Sequence, residues 1–224
     1  MDVKKSLAYW SLPLLLCVTA LLTSHTGEVG TLELSSDAGV LREKPWTLVT
    51  YCLSHRTILH LALSVLLLSI LIVLGKVEGV AFWALFVTGV FAGGVSFLLF
   101  FPLSGFGDGT LVGASAGICA LVPITLYRTF CEKGDVAGHA LAWVLVPVLL
   151  ADFASFIVIG SPGFLAHIGG YVLGLAVMIP VLANERATRE RTAERERIHS
   201  KAARSGIGSL TAKEWEIVTQ KSEV

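Results

Sequence analysis

Six apolar stretches of about 16 to 22 residues alternate with polar segments along the chain. They lie at residues 7–22, 57–74, 80–101, 111–127, 139–159 and 164–182. An α-helix needs about 20 apolar residues to cross the hydrocarbon core of a bilayer. The pattern therefore predicts an all-α, polytopic membrane protein, a bundle of six transmembrane helices in contact with the lipid bilayer.

Composition supports this class and divides the chain. Hydrophobic residues make up 54% of the sequence and charged residues only 15%, whereas soluble domains carry about 25% charged residues. Residues 184–224 alone hold 9 Lys/Arg and 7 Asp/Glu. We therefore expect a membrane domain over residues 1–183 and a charged, helical tail over residues 184–224. Its charges nearly cancel, which argues against a nucleic-acid partner.

The tail carries its own helix signals. Glu and Arg alternate over residues 185–204 without an apolar stripe, which favours a solvated helix continuing from the sixth span. Gly206 and Gly208 should end it. Thr211 and Glu214 have the spacing of a capping box, which predicts a second, short helix. The sequence identifies no partner for this tail.

Basic residues in the short loops give the orientation. If the N-terminus is inside, most of them fall on the inner side and only three, Arg42, Lys44 and Arg56, on the outer side. Both termini are therefore expected in the cytoplasm. Short loops and the lack of a transit peptide favour a bacterial inner membrane.

The four cysteines form no CxxC pair or Cys/His cluster, so the sequence predicts no metal site and no cofactor. A transporter would show repeated halves or charged residues near the membrane midplane. Asp152 alone fits that description, and a capped or paired acid facing another helix is the favoured interpretation of it.

A serine with small neighbours opens the fourth apolar stretch, at residues 113–117. Gly113 and Gly117 lie four residues apart, as in a close helix-packing face. The same segment also suits a nucleophile, Ser115, provided that a base lies nearby. A candidate base, His167, lies near the start of the sixth stretch.

In the orientation above, the fourth and sixth stretches both start at the outer face. At 1.5 Å per helical residue, Ser115 lies roughly 9 Å below residue 109 and His167 roughly 6 Å below residue 163. The two side chains are therefore expected at similar, shallow depths. Small residues would let the two helices approach closely, namely Gly113 and Gly117 on one and Gly170 and Gly174 on the other.

The second span carries His60 and Ser64, one helical turn apart and on one face. His60 enters near the outer end, so it can reach the level of Ser115. A histidine in a membrane usually faces a cavity or a polar partner, and an interhelical hydrogen bond would also explain it. Just before this span, Trp46 and Tyr51 are expected to be anchors at the membrane interface.

Together these residues resemble the rhomboid family of six-span intramembrane serine proteases. The resemblance covers about residues 5–183, and the positions that correspond to the family's motifs follow the family's order. They are Trp46, Tyr51, His55, His60, Ser64, Gly113, Ser115, Ala116, Ala166, His167, Gly170 and Gly174. The resemblance implies that Ser115 is the nucleophile and His167 its base, in a dyad without an acid. It implies an oxyanion hole that contains His60, with Ser64 and Ser115 as further contributors, and a single-span membrane protein cut near its outer boundary as the substrate.

Four positions depart from the family pattern, one of them Thr47, which replaces the arginine that usually follows the tryptophan. Ser64 replaces an asparagine that donates to the oxyanion, Ala116 replaces a glycine after the nucleophile, and Cys119 replaces an aromatic residue beside the histidine. These departures leave open an alternative function. The chain could be a catalytically weak or inactive rhomboid-like protein that binds transmembrane segments.

Overall fold

The computed structural model describes residues 10–20, 31–75, 80–105, 109–133, 150, 153–154, 157–158 and 162–219, which are mostly helical. Most of the fifth predicted span, at residues 139–159, lies outside these described residues, and so does Asp152. Two helices among them are long and apolar enough to cross a membrane, Ala81–Phe100 and Gly163–Ser205. A third span results if Thr47–Leu53 and Ile58–Val73, bent by 93°, are counted together. Six spans therefore stay a prediction.

The helices are α1 (Trp10–Ala20), α2 (Ala38–Glu43), α3 (Thr47–Thr50), α4 (Ile58–Gly75), α5 (Val80–Phe100), α6 (Ser115–Lys133), α7 (Gly163–Ser205) and α8 (Ala212–Thr219). Single 3-10 turns occupy Tyr51–Leu53, Pro102–Ser104 and Ile207–Ser209. Two short strands, β1 (Leu34–Ser35) and β2 (Thr110–Leu111), pair antiparallel. By contacts, the chain divides into two compact units, Met1–Val177 and Met178–Val224.

Helix α6 lies at the centre of the first unit. The nine residues that follow Ser115 are apolar, so every side of the helix is apolar there, and nearly all nine are buried, as expected for a helix surrounded by others. The buried ones are Ala116, Gly117, Ile118, Cys119, Ala120, Leu121, Val122 and Ile124. Because α6 begins at Ser115, the packing that surrounds it also fixes the position of that residue.

Helix α5 approaches α6 through two glycines. A Cβ atom at Gly89 would collide with the methyl group of Ala120, and one at Gly93 would collide with the methyl group of Ala116. The two pairs lie four residues apart on both helices, so they form one line of contact. Small residues along that line let the two backbones come close together.

Helix α7 approaches α6 in the same way from another side. A Cβ atom at Gly170 would collide with the Ala116 carbonyl oxygen, and one at Gly174 with the Ala120 carbonyl oxygen. Both glycines therefore lie against the backbone of α6. The expected partners for them, Gly113 and Gly117, do not lie there: Gly117 faces Phe86 of α5, and Gly113 precedes the helix.

The segment that leads into α6 is extended. Leu34 pairs with Leu111, and the Ser36 N–H donates to the Gly109 carbonyl at 2.9 Å. This strand pair was not predicted. It also corrects the depth estimate for Ser115, because residues 109–114 do not rise as a helix.

Tyr51 is not the interfacial anchor that its position suggested. It is fully buried, and its hydroxyl donates to the Val90 carbonyl of α5 at 2.7 Å. Trp46, by contrast, is half exposed. The hydrogen bond fixes the 3-10 turn Tyr51–Leu53 against α5, just ahead of α4.

The second unit contains a helical hairpin. Helix α7 ends at Ser205, and Gly206 takes a positive φ of 80° before the chain turns into α8. The predicted capping box is confirmed, since the Thr211 N–H donates to Glu214 Oε2 at 2.8 Å and the Glu214 N–H to Thr211 Oγ1 at 3.3 Å. Lys201 donates to the same carboxylate at 2.7 Å.

Candidate active site

Ser115 stands at the first residue of α6, where the preceding turn exposes it. Gly113, two residues earlier, has a φ of 109°, a conformation that side-chain-bearing residues rarely adopt. The Gly113 N–H donates to the Tyr51 carbonyl at 2.9 Å. Ser115 is only partly buried, unlike Ala114 and Ala116 on either side of it.

The structure brings Ser115 and His167 together. Nε2 of His167 lies 2.5 Å from Oγ of Ser115, within hydrogen-bonding distance. His167 lies one turn into α7, and Gly170, one further turn along, packs on the α6 backbone. The residues that let α7 approach α6 therefore place the imidazole beside the hydroxyl.

Helix α5 fixes the start of α7 as well. The Ser96 hydroxyl donates to the Leu165 carbonyl at 2.7 Å. A Cβ atom at Gly169 would lie 2.6 Å from the Ala92 carbonyl oxygen, so this residue also lies against α5. His167 thus occupies a stretch of α7 that contacts α5 and α6 together.

His60 lies over Gly113, next to Ser115. A Cβ atom built on Gly113 would lie 2.6 Å from Cε1 and 2.8 Å from Nε2 of His60, and 3.7 Å from Oγ of Ser115. The imidazole therefore occupies the space that any other residue at position 113 would need. The Thr57 hydroxyl accepts from the His60 N–H at 3.1 Å and caps the start of α4.

Ser64 lies one turn beyond His60 on α4 and is buried. His55, also part of the resemblance, lies edge-on to His60 with ring centroids 5.0 Å apart.

Two departures from the family pattern have a structural explanation. The Ala116 methyl group is fully buried and points at Gly93 of α5, so it does not occupy the space beside the Ser115 hydroxyl. Cys119 is buried and lies against Gly170 of α7. A Cβ atom built on Gly170 would lie 3.1 Å from the Cβ atom of Cys119.

Arg56 makes a contact with Thr110 that the sequence did not predict. Its Nη2 donates to the Thr110 carbonyl at 3.0 Å and to Thr110 Oγ1 at 2.7 Å. In the sequence Arg56 is one basic residue of a loop predicted to be outer, and no spacing rule links it to Thr110, 54 residues away. Within the described part of the chain, no group of three or more His, Cys, Asp or Glu side chains could hold a metal ion.

The assembled groups have complementary chemical properties. A hydroxyl within hydrogen-bonding distance of an imidazole can be activated as a nucleophile. The first turn of a helix presents free backbone N–H groups and the positive end of the helix dipole, both of which favour a developing negative charge.

Comparison with known proteins agrees with this geometry. A family model described as the Rhomboid domain matches residues 42–184, which include α3 to α6 and the start of α7. No curated protein matched the chain. The match covers more than half of the sequence and contains Ser115, His167 and His60. The chain is an integral membrane protein that belongs to the rhomboid family.

Proposed function

We propose that this protein is an intramembrane serine endopeptidase that cleaves transmembrane segments with a Ser115–His167 dyad. The observation that carries the proposal is the 2.5 Å approach of His167 Nε2 to Ser115 Oγ, at the start of a buried helix. Rhomboid proteins are generally serine proteases of this kind. The serine and histidine that such proteases use correspond to Ser115 and His167 in this chain.

The reaction follows from the chemistry of the pair. With Nε2 unprotonated, the Ser115 hydroxyl donates its proton to His167 while Oγ attacks the scissile carbonyl carbon. The resulting tetrahedral intermediate collapses when His167 returns the proton to the leaving amine, which leaves an ester on Ser115. A water molecule, deprotonated by the same imidazole, then hydrolyses the ester and regenerates the serine.

The negative charge of the tetrahedral intermediate needs donors that are already in place. Three groups are proposed: the backbone N–H of Ser115, the ring of His60, and the hydroxyl of Ser64. His60 is the best placed of the two side chains, since its ring lies over Gly113. Ser64 is the weaker donor because its hydroxyl reaches about one bond less far than an asparagine amide.

The proposed substrate is a single-span membrane protein, cut near the outer boundary of the membrane. The distribution of basic residues supports an arrangement with both termini in the cytoplasm. In that arrangement Ser115 faces the outer half of the bilayer, and short loops favour a bacterial inner membrane. No cofactor enters the proposed reaction.

The decisive experiment combines covalent labelling with cleavage. Purified protein in detergent should react with a fluorophosphonate at Ser115 and should cut a model transmembrane substrate. Ser115→Ala and His167→Ala should each lose both activities while remaining folded. Cleavage by Ser115→Ala protein would refute the dyad. Failure of folded, unmodified protein to react at all would favour the alternative, a non-catalytic protein that binds transmembrane segments.

The oxyanion donors make a separate prediction. Loss of one such donor lowers the rate by about 10²–10³, so His60→Ala should lower kcat by about 10². Ser64→Asn should raise kcat by up to about tenfold, with KM nearly unchanged, because the added donor acts only when negative charge develops. Turnover of one substrate in one detergent measures both. Equal losses in His60→Ala and Ser64→Ala, with no gain from asparagine, would contradict the assigned weakness of Ser64.

A further inference from the structure

Arg56 connects two segments that carry proposed active-site residues. It lies in the break between the Tyr51–Leu53 turn and α4, four residues before His60. Its partner, Thr110, lies in β2, five residues before Ser115. One guanidinium nitrogen reaches both the carbonyl and the hydroxyl oxygen of Thr110, at 3.0 Å and 2.7 Å. A single side chain therefore bridges the approach to the histidine and the approach to the serine.

A second bond joins the same two segments. The Gly113 N–H donates to the Tyr51 carbonyl at 2.9 Å. With both bonds present, the two segments are fixed at two points. Without the Arg56 side chain, the backbone bond at Gly113 would be the hydrogen bond left between these two segments among the described residues. The His60 ring lies directly over Gly113.

We propose that Arg56 is a positioning residue, which holds the His60 imidazole over Gly113 so that it can donate to the oxyanion formed at Ser115. This inference rests on the proposed protease function. Reacting groups have to be held to within about 0.5 Å, because a displacement of about 1 Å can cost 10²-fold in rate. A side chain that only stabilised the outer loop would affect folding without a selective effect on turnover.

Kinetics provides the first test. Arg56→Gln should lower kcat about tenfold and leave KM nearly unchanged, because His60 acts in the transition state. Arg56→Lys should recover part of the loss, since its nitrogen also carries several donors on a shorter stem. Arg42→Gln, which removes an exposed basic residue at the end of α2, is the matched control and should match the unmodified protein.

A double-mutant cycle tests whether the effect runs through Thr110. Thr110→Val keeps the shape and the carbonyl but removes the hydroxyl acceptor, so kcat should fall about threefold. In the Arg56→Gln background the same change should have no further effect. Losses that simply multiply would overturn the proposal, and so would an unchanged kcat in Arg56→Gln. If Arg56→Gln did not fold, Arg56→Lys and Thr110→Val would carry the same test.

A third measurement does not depend on activity. The chain has 6 histidines, so NMR of protein labelled with ¹³C at histidine Cε1 can resolve the His60 signal, assigned by its loss in His60→Gln. Arg56→Gln should shift or broaden this signal, and Arg42→Gln should not. An unchanged His60 signal in Arg56→Gln would overturn the positioning role. A changed signal in a protein that never cleaves would instead refute the protease function alone.

Discussion

At the scale of single residues, Gly113 is required for two separate reasons. Its φ of 109° lies in a region that side-chain-bearing residues rarely adopt. Independently, a Cβ atom there would meet the His60 ring at 2.6 Å. The first constraint concerns the local backbone and the second the placement of a proposed oxyanion donor, so the two can be separated by mutation.

Gly113→Ala should lower kcat by about 10- to 100-fold, because the methyl group displaces the His60 imidazole. Gly105→Ala is the matched control. Gly105 also has a positive φ, 77°, but a Cβ atom there would have no neighbour within 4 Å among the described residues. Both variants should lose about 1–3 kcal/mol of stability through backbone strain, yet only Gly113→Ala should lose turnover. Equal kcat values for the two variants in a cleavage assay would show that the His60 ring accommodates the methyl group without loss of function.

The sequence predicted some of these residues and not others. Ser115 and His167 were expected at similar depths, because each lies near the start of an apolar stretch predicted to begin at the outer face, and their side chains do meet at 2.5 Å. Gly113 and Gly117 were assigned to packing against α7, which is wrong. A glycine before a helix and a glycine inside a helix face give the same local pattern, and only the tertiary contacts with His60 and Phe86 distinguish them.

At the scale of elements, the contact between α5 and α6 depends on the absence of side chains along one line. Gly89 faces the Ala120 methyl group, and a methyl group on residue 89 would collide with it. The next nearest atoms to such a Cβ would lie at 3.2 and 3.3 Å. The methyl group of Ala120 is therefore the main obstacle at this position. The two helices therefore have room for one methyl group at this level, on either residue 89 or residue 120, and not for two.

Gly89→Ala should accordingly destabilise the protein by about 1–3 kcal/mol, the usual cost of overpacking. Ala120→Gly should recover a large part of that loss when the two are combined, although glycine within a helix itself costs about 1 kcal/mol. Thermal unfolding of the single and double variants in one detergent gives the coupling. Purely additive destabilisation would show that the two positions do not share this space.

Long elements were easier to predict than short ones. The apolar stretches at 57–74 and 80–101 correspond closely to Ile58–Gly75 and Val80–Phe100, since helix length follows the hydrophobic run. The β1–β2 pair was missed because each strand has only two residues and shows no alternation. Tyr51 was misassigned because a tyrosine near a span end suits both an interface and a buried hydrogen bond.

At the scale of the whole molecule, every proposed active-site residue belongs to one compact unit. Ser115, His167, His60 and Ser64 all lie within Met1–Val177, and the charged hairpin lies within Met178–Val224. The chemistry proposed for Ser115 needs no group from the second unit.

Removal of residues 190–224 should therefore leave the fluorophosphonate reaction rate within about twofold of the full chain. The same truncation combined with Ser115→Ala provides the blank, and a melting curve confirms that the shortened protein is folded. A folded truncation that no longer reacts would show that the hairpin contributes to the reactive state of the first unit.

The carboxylate that organises the hairpin also makes it sensitive to protons in a defined range. The hydrogen bond from Lys201, and next the one from the Thr211 N–H, lower the pKa of Glu214 from 4.5 to about 2. A carboxyl group with a depressed pKa stabilises the folded form fully above its unfolded pKa, and that contribution disappears as the pH falls through the folded value. The contribution of Glu214 to the hairpin should thus be lost between about pH 4.5 and pH 2. Near neutrality Glu214 stays charged, so changes in pH around 7 leave its hydrogen bonds to Lys201 and Thr211 unaltered.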